Sequence, residues 1–127
     1  MATGKPTARQ AQRLKRLIAI ASALPEAVAL PSHDHHAFRI RKKTFAYYLN
    51  DHHGDGVACA CFKSTLERQQ ELVFRDPASY LIPAYLGPSG WVSLRLDLKA
   101  VDWDAVAELL FAAYRMQAPK RLAAELE

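Results

Sequence analysis

The residues best suited to chemistry are five histidines in two short runs, His33, His35 and His36, then His52 and His53. Asp34, Asp51 and Asp55 stand among them and add oxygen ligands. If the two runs approached one another, imidazole nitrogens and carboxylates could form a mixed transition-metal site. Adjacent residues cannot all point inward, however, and neither run repeats a recognised zinc spacing. There is no His-Glu-x-x-His helix pattern either. The runs read as surface loops without a metal. Their protonation near the reference pKa of about 6.5 would strengthen anion binding below neutral pH.

Other catalytic arrangements are weaker still. Cys59 and Cys61 form Cys-Ala-Cys on an apparent strand, not Cys-x-x-Cys at a helix start, so they read as small buried groups in a reducing setting. Ser89 precedes Gly90 but lacks the Gly-x-Ser-x-Gly elbow of an α/β-hydrolase. Asp97, Asp102 and Asp104 gather at a strand-to-helix transition, where capping explains them. No Walker or dinucleotide fingerprint supplies a phosphate nest. The expectation is a protein that is not an enzyme and needs no cofactor.

Charge offers a better lead. The net charge is +4, but residues 1–63 hold ten Lys/Arg against four Asp/Glu, a balance of +6. Residues 64–127 hold seven against nine, a balance of −2. One basic face can gather phosphates by long-range attraction and counterion release. Arg39, Arg41, Lys42 and Lys43 lie on a strand and its turn. There, Arg bridges phosphate oxygens bidentately and Lys supplies a mobile charge. Arg9, Arg13 and Arg16 would extend that surface if the first helix packed beside it. The plainer reading is a solvated basic turn that blocks strand association. Tyr85 and Trp91 could stack on an exposed base or shape a cleft; their ordinary role is to anchor a loop and close the end of the sheet.

The elements that must position these groups follow from periodicity. Half the residues are apolar across 127 positions, enough for one domain over residues 1–127, with residues 1–7 frayed. Ala11, Leu14, Ile18 and Ala21 repeat at helical spacing over Ala8–Leu24, and Pro25 stops the helix. Residues 25–35 read as a connector. Phe38 and Ile40 alternate with Arg39 and Arg41, and Thr44–Leu49 favours extension. Asn50–Gly56 is a loop, and Gly56–Phe62 returns antiparallel. Ser64 caps a helix over Thr65–Arg75 with Glu67 completing a capping box, its inner side drawn from Leu66, Gln70, Val73 and Leu72. Residues 77–89 form a Pro/Gly-shaped loop. Val92, Leu94 and Leu96 then share a strand face opposite Trp91, Ser93, Arg95 and Asp97. Asp102 caps a final helix with Val106, Leu110 and Tyr114 inward, and Pro119 bends or ends it. The order predicts an α+β fold: a curved antiparallel sheet with helices packed on one face.

Pro83-Ala-Tyr-Leu-Gly-Pro-Ser-Gly-Trp-Val-Ser-Leu-Arg-Leu-Asp97 resembles the MmcQ/YjbR-like family. The resemblance extends back through His36-Ala-Phe-Arg-Ile-Arg-Lys-Lys-Thr-Phe-Ala46 and forward through Val101-Asp-Trp-Asp104 and Ala118-Pro-Lys-Arg-Leu122. It implies a fold similar to CyaY and to secretion-chaperone-like proteins, and DNA binding through a double-wing arrangement. Phe38, Arg39, Lys43, Phe45 and Ala46 match the family's early strand pair. Pro83, Gly90 and Trp91 match its later loop-to-strand turn, and Lys120 and Arg121 the basic end of its last helix. The approach Ser32-His-Asp-His-His36 departs from the family's acidic-aromatic or glycine-containing pattern, and no catalytic mechanism carries over.

The resulting expectation is a small cytosolic DNA-binding protein. Its contacts would come from Arg39, Arg41, Lys42, Lys43, Arg13, Arg16, Lys120 and Arg121. The alternative is a protein- or peptide-binding adaptor that uses the sheet face or an apolar groove. No membrane span or leader is expected, and a free edge strand allows a monomer or a weak homodimer.

Overall fold

The computed structural model describes residues 7–50 and 57–126. Helix α1 (Ala8–Ser22) opens with a capping box in which Thr7 accepts from the Gln10 amide and the Gln10 side chain returns the bond. Four strands follow: β1 (Ala27–Ser32), β2 (His35–Ile40), β3 (Lys43–Asn50) and β4 (Ala58–Phe62). Then come α2 (Leu66–Arg75), β5 (Tyr80–Leu81), β6 (Val92–Arg95), α3 (Trp103–Gln117) and α4 (Lys120–Ala124). The strands form one sheet in the order β1-β2-β3-β4-β6-β5, every neighbouring pair antiparallel.

Directly opposed residues share a face, so the register separates two surfaces. Phe38, Ala46, Phe62 and Val92 lie in one row, and Tyr48, Ala60 and Leu94 in the next. This face is buried beneath α1 and α3, which pack on β1 and β3 and on each other. A register shift between Phe38 and Arg39 lets Phe45 join Ala46 in the core. The Phe45 ring meets Tyr114 edge-on at 5.6 Å. The expected α+β sheet with helices on one face is therefore present.

Four local readings need correction. Residues 27–32 are a strand and not a connector, because small Ala27 and Ala29 turn inward while Val28 and Leu30 are exposed. No polar/apolar contrast marks that alternation. Helix α2 is capped by Thr65, whose hydroxyl accepts from the Arg68 amide at 3.1 Å, and not by Ser64. Its buried residues are Gln69 and Leu72 while Leu66 and Gln70 are exposed, because the helix packs at the sheet edge against β5 and the Gly87–Ser89 turn. Ala11 is likewise exposed, since the inner stripe of α1 centres on Leu17 and Ala21. The capping of α3 by Asp102, and its buried Val106, Leu110 and Tyr114, agree with the periodicity.

Candidate nucleic-acid interface and the open-face cleft

The β2–β3 hairpin turns at Arg41, whose φ of 56° places a non-glycine residue in the left-handed region. Arg41, Lys42 and Lys43 are exposed there. The Arg39 guanidinium folds back and donates to the Lys42 carbonyl at 2.6 Å, so it stiffens the turn more than it extends from it. Arg41 pairs with Glu26 at 3.1 Å. That hydrogen bond chiefly holds the Glu26 carboxyl below its ordinary range, and Arg121 adds to the effect from α4.

The last helices reach this end of the sheet for definable reasons. Gln117 donates to the Thr44 carbonyl at 2.9 Å, which ties the end of α3 to the start of β3. The Tyr114 hydroxyl donates to the Pro25 carbonyl at 2.7 Å. Pro119 then starts α4, carrying Lys120 and Arg121 on its exposed first turn. Residues from two distant parts of the chain thus share one end of the molecule.

Arg13 and Arg16 do not join them. Arg13 donates to the carbonyls of Leu96, Leu98 and Lys99, beyond the far end of β6. Burial, reinforced by nearby Arg9, lowers its pKa. The Arg16 guanidinium lies 4.6 Å from the centre of the Trp103 ring at the start of α3. Both side chains therefore fasten α1 at the end of the sheet opposite Arg41.

The sheet's other face carries the aromatic pair. Trp91 is 5% exposed; its ring lies 5.6 Å from that of Tyr47, and the Lys63 ammonium is 5.8 Å from its centre. Its carbonyl accepts from the buried Gln69 amide at 2.6 Å, and the same amide reaches the Gly87 carbonyl at 2.9 Å. Trp91 is a loop anchor. Tyr85, by contrast, is 83% exposed with a φ of 65°. It borders a cleft of about 600 Å³ floored by Tyr47, Leu49, Cys59 and Ser93. The floor was not singled out from the sequence, although alternation along β3, β4 and β6 points those positions to one face. Cys59 and Cys61 are both buried, and burial pushes the Cys61 thiol up to about 12.

Of the histidines, His35 accepts from the Asn50 amide at 3.2 Å, while His36 borders a small pocket of about 120 Å³ with Leu14, His33, Asp34 and Tyr48. His52, His53, Asp51 and Asp55 lie outside the described residues. Among the described residues no group of three or more His, Cys, Asp or Glu is arranged to hold a metal ion. No described helix is long and apolar enough to cross a membrane.

A profile of the YjbR family matches residues 22–116, which takes in the whole sheet and most of α3. The chain belongs to the YjbR family. The crystal structure of a Deinococcus radiodurans protein carrying domain DUF419 is similar, with a TM-score of 0.64 at 24% identity. The likeness covers 81% of this YjbR-family chain and 76% of that one, and it speaks to the fold alone. No curated protein sequence matches significantly. Of the residues that carried the resemblance, His36–Ala46, Pro83–Asp97 and Val101–Asp104 fall inside the matched span, and Ala118–Leu122 lie beyond it.

Proposed function

We propose that this YjbR-family protein is a small DNA-binding protein that contacts phosphates through the end of the sheet bearing Arg41, Lys42, Lys43, Lys120 and Arg121. It binds and performs no chemistry. The observation that carries this reading is the convergence of the β2–β3 turn and α4 around Glu26. Glu26, and Glu125 which also acts on nearby Tyr114, offset only part of that positive charge. The exposed lysines supply attraction without a fixed geometry, which suits backbone contact better than base readout.

The test is fluorescence anisotropy with duplex DNA, single-stranded DNA of equal length and polyglutamate, across a series of salt concentrations. DNA binding that exceeds polyglutamate binding and persists at about 0.15 M salt supports the reading. Equal binding to all three, lost at modest salt, rejects it.

One observation favours a second reading as a protein adaptor. β1 is an edge strand that exposes Val28 and Leu30, so its outer side can accept a partner strand. Partner binding of that kind would depend only weakly on salt.

A further inference from the structure

The open face carries a cleft that DNA contact at the basic end does not use. β3 contributes Tyr47 and Leu49, β4 contributes Cys59 and β6 contributes Ser93, while residues 81–86 rise beside them as a wall. The floor is rigid: Cys59 and Ser93 are buried in the sheet, and both belong to interior strands. Gly87 secures the wall. A Cβ there would lie 2.6 Å from Ile82 Cγ2, so the Ile82 side chain packs directly over the glycine. At the rim, Tyr85 holds a bulky ring in solvent on a left-handed backbone, a strained arrangement of the kind found at ligand clamps.

From this geometry we infer that the cleft is a binding site for a neutral aromatic small molecule of two or three rings carrying one hydrogen-bonding group. Four features select that chemistry. The volume of about 600 Å³ falls in the range of small-molecule sites. Among the described residues no Lys, Arg, Asp, Glu or His lines it, so an ionised ligand would lose hydration without gaining a counter-charge from them. Tyr47 and Tyr85 offer ring surfaces and hydroxyls for the few polar contacts, while the Ser93 hydroxyl is engaged with the Cys61 thiol. An extended peptide fits poorly. β3, β4 and β6 are each flanked by strands on both sides, so their main-chain groups are committed to the ladder and cannot satisfy peptide amides laid across them.

The inference is independent of DNA binding. Its test uses the full chain and N-phenyl-1-naphthylamine, an uncharged probe whose fluorescence rises on burial. Saturable one-site binding is expected, displaced by 1-naphthol and at least ten times less effectively by 1-naphthoate. Ala84→Trp, at an exposed wall position, should weaken probe binding at least tenfold. Tyr85→Gly accepts the backbone conformation while removing the ring, and should weaken binding about threefold. Phe74→Ala removes an apolar ring that is 89% exposed on α2, and should leave binding within twofold. The inference is overturned by absence of saturable binding or by equal competition from naphthoate. It is also overturned if Phe74→Ala abolishes binding, or if folded Ala84→Trp and Tyr85→Gly proteins bind like the parent.

Discussion

Arg41 holds Glu26 in a two-point ion pair, Nε to Oε1 at 3.1 Å and Nη2 to Oε2 at 3.2 Å. Both residues have left-handed backbones, with φ of 56° and 59°. The pair joins the β2–β3 turn to the entrance of β1, and it withdraws part of Arg41's charge from any phosphate. Among the described residues no ion pair engages the Lys42 or Lys43 side chain, although the Lys42 carbonyl accepts from Arg39.

The consequence for DNA binding is a ranking of substitutions. Lys42→Ala with Lys43→Ala should weaken duplex binding and lower the salt slope by about 2, close to one unit per lost phosphate contact. Glu26→Gln should strengthen binding about threefold by unmasking Arg41. Arg41→Gly is a cleaner probe than Arg41→Ala, because glycine accepts the left-handed conformation. Anisotropy titrations across salt measure all three. An unchanged slope in the folded double lysine variant removes this surface from the function.

Arg13 should behave in the opposite way. Its guanidinium donates to three backbone carbonyls after β6, so Arg13→Ala should destabilise the fold by roughly 2 kcal/mol while leaving DNA binding unchanged. Urea denaturation alongside the DNA titration separates the two roles. A stable Arg13→Ala protein with weakened DNA binding would instead place α1 in the interface.

Of the two described glycines, Gly87 and Gly90, Gly90 is the less able to accept a side chain. Its φ is 94°, and a Cβ would meet the Ser64 carbonyl oxygen at 2.8 Å and the Leu66 nitrogen at 2.9 Å. Both neighbours are backbone, so they cannot swing aside. Gly90→Ala should cost roughly 2 kcal/mol or more. A midpoint in urea equal to the parent's would show that the α2 entrance yields easily.

Stability should also fall on mild acidification through His36. Burial lowers its pKa from the ordinary 6.5, and its Nδ1 is buried without a hydrogen-bond partner. Between the unfolded value and the lower folded one, the unfolded chain binds more protons, so stability rises with pH across that window. The stabilisation is complete above about 6.5 and is lost as pH falls toward the folded value. Glu26, whose carboxyl is also held low, adds its own loss only beneath the ordinary carboxylate range. Thermal unfolding from pH 7.5 to 5.5 should show a falling Tm in the parent and a smaller fall in His36→Phe. Identical slopes would assign the pH dependence to other groups.

The chain's own order of residues determined the strongly periodic elements. Val92 and Leu94 announce strand β6, Asp102 announces the start of α3, and Pro119 announces its end, because each effect acts within a few residues. The basic turn at Arg41-Lys42-Lys43 and the Pro83–Trp91 segment were legible for the same reason. Tertiary structure decided what local pattern cannot encode. β1 gains its identity from pairing with β2, since Ala27 and Ala29 become inward-facing only beside Ile40 and Phe38. Gln69 is buried because Gly87 and Trp91 bring carbonyls to it from about twenty residues away. The basic residues were visible as a set but not as a surface: Arg13 and Arg16 are drawn to one end of the sheet, while Lys120 and Arg121 join Arg41 at the other. The cleft arises the same way, from alternate residues on three strands that meet only once the ladder is formed. Side chains alternate locally, but which distant side chains share a face is set by register and topology.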